Sequence, residues 1–395
     1  MLGSLCGIAF GVTGLFFYST GIFLKPVASE FGWSRAAASA VNLVAALTLA
    51  ATAPFVGRIV DLIGARVVAL TSSIGLAVGF FALSRSPASL PAYLSLVVLT
   101  VLLGAGASPV AYTRLINLWF DQARGTALGL SQTATGVAAT LLPVLLIPFM
   151  ASHGWRAAFQ AMGCVTLASA PLVLLLIGRA NAPPVTALPK QVLPRGIPLA
   201  AAVRTPGFIT LVSMLAFAAV GVSGIIVHIV PLLSDAGLPP MRASAIAGLL
   251  GVGVIIGRAL TGILVDRVFA PRVAFAAFAA AACGCWLLAW GGADWAIPAT
   301  MLTGLAMGAE VDLISYFVAR YYGLASYGSI YGWLYAVFMV GTSLGPLLTG
   351  AAFDHFKNYQ IATLGLGTSL ALAATLTWRL PSFATTPSNL DQPAA

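Results

Sequence analysis

The sequence predicts an all-α integral membrane protein with twelve transmembrane helices arranged as two six-helix bundles. Three observations carry that prediction. Of 395 residues, 60% are apolar and only 7% charged, more apolar surface than the core of a soluble domain can hide. Apolar windows of about 20 residues, the length that crosses a hydrocarbon core of about 30 Å, recur twelve times along the chain. The second half also repeats landmarks of the first at offsets of 202 to 205 residues.

The first six windows fall at 2–24, 37–57, 67–84, 91–118, 125–150 and 156–178, and the last six at 207–233, 243–264, 272–292, 296–321, 328–352 and 360–380. Gly, Pro or charge punctuates most of their boundaries. The longest polar interval, 179–206, is rich in proline and carries Arg179, Lys190, Arg195 and Arg204. It reads as a cytoplasmic linker between an N-terminal bundle, 1–178, and a C-terminal bundle, 207–380, with a tail at 381–395. The opening stretch Met1 to Leu24 lacks a basic n-region and a clear small-x-small cleavage site, so we expect a retained first helix rather than a signal peptide. An even helix count puts both termini on one side. If that side is the inside, cytoplasmic segments hold eleven of the 19 basic residues and external ones six. The positive-inside rule then places both termini in the cytoplasm, with the chain in the cytoplasmic (inner) membrane.

The net charge of +9 is spread between apolar windows, with no basic run interleaved with aromatics, which argues against nucleic acid. Cys6, Cys164, Cys283 and Cys285 all lie in apolar segments, and we expect free, buried thiols. No CxxC, HExxH, GxxxxGK[ST] or GxSxG pattern occurs, and His153, His228 and His355 are far apart in sequence. Neither an enzyme, a metal site nor a cofactor is expected.

The internal repeat is more specific than hydropathy. Gly57-Arg58-Ile59-Val60-Asp61 after the second window recurs as Gly262-Ile263-Leu264-Val265-Asp266 after the eighth, at an offset of 205. Pro143 matches Pro346 at 203, and Gly106-Ala107 matches Gly308-Ala309 at 202. Such agreement argues for a duplicated six-helix unit, and parallel repeats of that kind place a substrate site near the midplane between the halves.

Arg258 is the residue that most needs explaining. It lies eight residues before Asp266, about 12 Å inside its segment at the helical rise. A charge at that depth costs at least about 2.5 to 3.5 kcal/mol and usually faces a cavity or a partner. Either a substrate anion or an acid on a neighbouring helix meets it. Its counterpart at the 205 offset is Ala53, so the duplicated scaffold does not itself require a charge there, and we favour the substrate reading. The acids Glu310 and Asp312 lie well inside the tenth window. Two residues apart, they point roughly 200° away from each other on a helix, so at most one faces a cavity squarely. We expect one of them to carry a proton or to pair with Arg258, without a choice between the two.

Gly57 to Arg66 resembles the loop motif Gly-x-x-x-Asp-x-x-Gly-x-Arg of the major facilitator superfamily, and the six-linker-six plan extends that resemblance over nearly the whole chain. Glu30-Phe31-Gly32-Trp33-Ser34-Arg35, Trp119-Phe120 with Arg124-Gly125-Thr126-Ala127-Leu128-Gly129, Gly154-Trp155-Arg156 and Gly328-Ser329-Ile330-Tyr331-Gly332 look like the bacterial monocarboxylate and oxalate/formate transporter-like group. The resemblance implies the major facilitator fold, alternating access by two bundles, and a small carboxylate as cargo, with protons as the coupling partner or anion exchange in their place. It also implies that an arginine of the eighth helix meets the carboxylate, where Arg258 stands. Animal monocarboxylate transporters carry an aspartate one turn earlier that is linked to proton coupling; here that position is Val254. The Gly-Pro pattern that drug/proton antiporters carry in helix five is absent there and occurs instead in helix eleven, Gly341 to Pro346.

Arg114, two turns before Asp121, is expected to make a gate contact with Asp61 or Asp121. By the same logic Arg58, Arg66, Asp266 and Arg267 are expected to be conformational latches. His228 sits near the external end of helix seven, where a lone histidine is more often a packing residue than a ligand or proton contact, and it is kept as a candidate substrate contact. Tyr18, Tyr112, Tyr316, Tyr331 and Tyr335 offer phenolic donors to a carboxylate. Tyr331 is favoured among them because helix eleven is expected to line the cavity. Lys25 reads as an external anion attractor or an interface anchor. The expected function is a monomeric secondary transporter of a small organic anion in the lipid bilayer. Proton-coupled drug efflux is the alternative, and a non-transporting membrane sensor is the remote one.

Overall fold

The computed structural model describes residues 1–33, 35–177 and 196–383. Most of the expected linker, with Arg179, Lys190 and Arg195, and the tail from 384 onward lie outside the described residues. Among the described residues the chain is helical apart from short connections. Ten segments are long and apolar enough to cross a membrane. Two of them are too long for one crossing. Arg124–Ile177 runs for 54 residues, about 80 Å at the helical rise, and Gly154 departs from helical geometry inside it (φ 79°, ψ 164°). Ala270–Tyr321 is a pair of helices joined by the 3-10 turn Gly292–Trp295. With each of these counted as two, the expected twelve helices are present.

In chain order they are α1 (Leu2–Phe31), α2 (Arg35–Ile63), α3 (Ala65–Ser84), α4 (Leu90–Trp119), α5 (124–153), α6 (154–177), α7 (Pro206–Asp235), α8 (Pro240–Arg267), α9 (Ala270–Gly291), α10 (Ala296–Tyr321), α11 (Tyr327–Phe356) and α12 (Gln360–Leu376). Several boundaries correct the sequence reading. The stretch read as a loop after the second window is helix through Ile63, and the chain turns only at Gly64, whose φ of 90° suits glycine. The matching stretch 262–267 likewise forms the last turns of α8. A hydropathy window stops where charges begin, whereas a helix stops where its backbone geometry changes. For the same reason α1 continues past Lys25 and Pro26 to Phe31, where Gly32 ends it with φ 68°.

Two helices are interrupted, which hydropathy did not foretell. α1 consists of Leu2–Ala9, a π-helical turn Val12–Phe17, and Tyr18–Phe31. α4 breaks between Gly104 and Pro109. The breaks meet: Val12 N–H donates to the Ala107 carbonyl at 3.0 Å, and a Cβ on Gly11 would collide with that same carbonyl. Backbone groups freed inside a membrane must find such partners.

The described residues form two compact units. One comprises those of Met1–Asp121, Leu130–Pro194 and Leu324–Ala336; the other those of Gln122–Gly129, Arg195–Gly323 and Val337–Ala395. In the first, Ile8, Val60, Val68, Tyr112 and Leu115 belong to one buried apolar cluster. In the second, α8 lies close against α10 along glycines spaced four apart on each helix. A Cβ on Gly253 would stand 3.0 Å from Gly304 Cα, and one on Gly308 would stand 2.8 Å from the Arg258 nitrogen. Small residues at that spacing let membrane helices approach to backbone contact. All four cysteines are free; Cys285 is buried, but Cys164 and Cys283 are exposed on outer helix faces, contrary to the expectation of burial.

Candidate functional site

The glycine contact between α8 and α10 fixes what lies one turn further along. Arg258 is 4% exposed, Glu310 2% and Asp312 4%. Arg258 Nη1 stands 3.8 Å from Asp312 Oδ1. Of the two acids whose roles the sequence left open, Asp312 is the one at ion-pair distance. The pair is not closed by hydrogen bonds: Arg258 Nε and Nη1, both Asp312 carboxylate oxygens and Glu310 Oε1 have no hydrogen-bond partner in the structure. Buried charges normally gain such bonds. The site therefore holds one guanidinium and two carboxyl groups, held near one another with hydrogen-bonding capacity unused.

The duplicated aspartates perform a matched task. Asp61 at the end of α2 accepts from Gly328 N at 2.9 Å, Ser329 N at 2.8 Å and Ser329 Oγ at 2.8 Å, and so caps the first turn of α11. Asp266 at the end of α8 accepts from Gly125 N at 2.7 Å, Thr126 N at 2.8 Å and Thr126 Oγ1 at 2.8 Å, capping the first turn of α5. A carboxylate at a helix amino end satisfies orphan N–H groups and meets the positive end of the macrodipole. Glycine is needed at these contacts, since a Cβ on Gly57 would collide with the Gly328 carbonyl, and one on Gly125 would lie 2.5 Å from the Gly262 carbonyl. Sequence reasoning noticed each aspartate but not its receptor. The signal was present: Gly125-Thr126-x-x-Gly129 and Gly328-Ser329-x-x-Gly332 repeat at an offset of 203.

Arg114, 5% exposed, makes an ion pair with Asp61, the first of its two expected partners. Asp121 is exposed just beyond α4, Arg58 and Arg267 are exposed, and Arg66 is half-buried. Tyr331 stacks between Tyr327 and Tyr335, with ring centroids 5.7 Å apart in both pairs. The Tyr327 hydroxyl bonds to Thr113 Oγ1 and accepts from Asn117 Nδ2, both at 3.1 Å. Tyr112 is fully buried in the apolar cluster of the first unit, and its ring lies where any Cβ on Gly7 would fall. Tyr316 donates to the Val265 carbonyl at 2.7 Å and ties α10 to α8. Tyr18 is half-buried just after the π turn, and Lys25 is exposed. His228 uses both ring nitrogens. Its Nε2 lies 3.1 Å from the Pro346 carbonyl, which can only accept, so Nε2 carries the proton and Nδ1 accepts from the Tyr359 hydroxyl at 3.2 Å. Both ring nitrogens are thus engaged within the protein. Among the described residues no group of three or more His, Cys, Asp or Glu could hold a metal.

Comparison with known proteins gives a consistent picture. The Major Facilitator Superfamily profile matches residues 6–346. An MFS-type transporter of Gibberella moniliformis (strain M3125 / FGSC 7600) is 26% identical over 396 aligned residues, covering 95% of this chain and 89% of the fungal protein. Human monocarboxylate transporter 14 is 28% identical over 138 residues, only 35% of this chain and 27% of the human one. Among solved structures, the E. coli fucose:proton symporter superposes with a TM-score of 0.72 at 16% identity, covering 96% of this chain and 98% of that one. At that identity the likeness concerns the fold alone.

Proposed function

The chain belongs to the major facilitator superfamily, is a transporter and not an enzyme, and we propose that its cargo is a small organic anion, a monocarboxylate, carried together with a proton. The observation that carries this reading is the buried Arg258, whose guanidinium stands 3.8 Å from Asp312 with Nε and Nη1 lacking hydrogen-bond partners. A substrate carboxylate forks onto a guanidinium through two parallel N–H···O bonds, which an acid held at 3.8 Å does not form. The substrate then replaces Asp312 as the counterion. Asp312 is left buried near Glu310 without a cation, a costly state that proton uptake relieves. One anion and one proton thus enter together, and the exchange moves the coupling acid from position 254, here valine, to α10. The partial likeness to a monocarboxylate transporter supports the same cargo class.

In this reading the two sequence halves, 1–178 and 207–380, alternate access as a monomer in the cytoplasmic membrane, with both termini inside. Asp61 and Asp266, with Arg114, Arg58, Arg66, Asp121 and Arg267, act as conformational latches, and Tyr331 is the phenol assigned to the substrate's tail. A second reading rests on one specific observation: two acids face a single arginine, and a cationic drug would balance the excess. A thermal-shift screen of the purified protein against mono-, di- and tricarboxylates, aromatic acids and cationic drugs separates the two, because a ligand that binds only the folded state raises apparent stability. The proposal expects monocarboxylates to shift the wild type and not Arg258→Gln. Stabilisation by cations alone would replace it with the efflux reading.

A further inference from the structure

The end of α9 that begins at Ala270 and the end of α12 enclose a groove of about 240 Å³ lined by Phe269, Pro271, Arg272, Phe275, Thr377, Trp378 and Leu380. It has a built floor and walls. After α12 a 3-10 turn, Thr377–Arg379, sends the chain back across the ends of α9 and α10. Tyr321 holds that return by donating to the Pro381 carbonyl at 2.9 Å. Phe383 packs on Phe269 with centroids 5.0 Å apart and receives the Arg320 guanidinium over its ring at 4.9 Å. Thr377 and Leu380 are buried beneath the groove, while Phe275 and Trp378 meet edge to face at 5.4 Å and form its outer wall. Trp378 is 77% exposed despite this contact.

The polar side of the groove carries one sign of charge. Arg272 lines it, and Arg267 and Arg379 are exposed at the adjoining helix ends. Asp266, the acid beside them in sequence, has its carboxylate taken up by Gly125 and Thr126. A tryptophan with one apolar side and an arginine a short distance away is the pairing that marks a membrane–water boundary. Basic grooves between transmembrane helices at that level recognise acidic headgroups.

We propose that this groove binds one acidic phospholipid, with Arg272 on its phosphate and Phe275 and Trp378 along the first part of its acyl chain. The site belongs to neither the Arg258 cluster nor the capping aspartates, so it stands whatever the cargo proves to be. The test is lipid binding to the intact purified protein, read by native mass spectrometry and by thermal shift, with phosphatidylglycerol and phosphatidylcholine compared. Phosphatidylglycerol is expected to bind in preference and to raise the melting temperature. Arg272→Gln should weaken that binding about fivefold, the loss of one basic contact to an acidic lipid. Arg272→Lys should restore most of it, and Arg85→Gln at the far end of α3 should leave it unchanged. Inorganic phosphate alone should give no shift, and a chain ending at Phe383 should behave as wild type. Equal binding of the two lipids, or an undiminished preference in Arg272→Gln, overturns the proposal. So does a preference seen only after removal of residues 384–395, which would make the chain's own tail the occupant.

Discussion

Asp312 on α10 stands 3.8 Å from Arg258 on α8, close enough for charge to hold the pair but without a hydrogen bond between them. Removing one member of a buried ion pair strands the other, whereas substituting one anion for another does not. On the proposed reading the substrate exchanges for the carboxylate that faces the arginine, and the displaced acid takes the proton.

If Asp312 takes the proton, Asp312→Asn removes the need for one. Lactate/lactate exchange across liposomes should survive in that variant, while uptake driven by an inward proton gradient should be lost and its dependence on external pH should flatten. Glu310→Gln, measured alongside, should retain gradient-driven uptake. The opposite pattern would transfer the coupling role to Glu310.

The capping aspartates should act on turnover rather than on affinity. Loss of a charged helix cap costs about 0.5 to 2 kcal/mol, enough to change a conformational equilibrium by about twofold to thirtyfold. Asp61→Ala and Asp266→Ala should each lower the maximal counterflow rate with KM within about twofold of wild type, since each removes the acceptor for the same three kinds of donor. Asp61→Ala should do so more severely because it also strands the buried Arg114. A raised KM at an unchanged rate would place these residues in binding instead.

The closeness of α8 and α10 is itself testable. A Cβ on Gly308 would lie 2.5 Å from the Val254 carbonyl and 2.8 Å from the Arg258 nitrogen. Gly308→Val should therefore destabilise the protein by about 1 to 3 kcal/mol, the range for overpacking, and displace the Arg258–Asp312 pair. Gly248→Val on the same helix as Arg258 meets nothing within 4 Å and should leave the melting temperature nearly unchanged.

His228 provides a control for what is packing and what is binding. His228→Phe gives up the bonds to Pro346 and Tyr359, each worth about 1 kcal/mol. Lower thermal stability with an unchanged substrate KM is expected. A large rise in KM without loss of stability would return His228 to the substrate site.

Much of this was legible in the sequence because it rests on apolar length and on repetition. Twelve windows, the duplication and the isolation of Arg258 all follow from counting residues. What escaped depends on distances between segments remote in the chain. Nothing local to Asp61 says that its carboxylate caps Gly328 and Ser329, although the repeated Gly-Thr and Gly-Ser pairs hint at it once the caps are known. The choice of Asp312 over Glu310 needed the glycine register of α8 on α10, which sets the rotation of both helices. The paired breaks of α1 and α4 lie in stretches as apolar as their surroundings, so hydropathy passes over them. The burial of Tyr112 against Gly7 is likewise invisible along a single chain.

Counterflow of labelled lactate in liposomes bearing wild-type protein, Arg258→Gln or Arg258→Lys probes the substrate site most directly, with circular dichroism and gel filtration to establish that each variant is folded. Loss of counterflow in Arg258→Gln, with the folded protein intact and partial activity in Arg258→Lys, is the predicted result. Normal counterflow in folded Arg258→Gln would contradict it and leave Arg258 as a structural partner of the α10 acids.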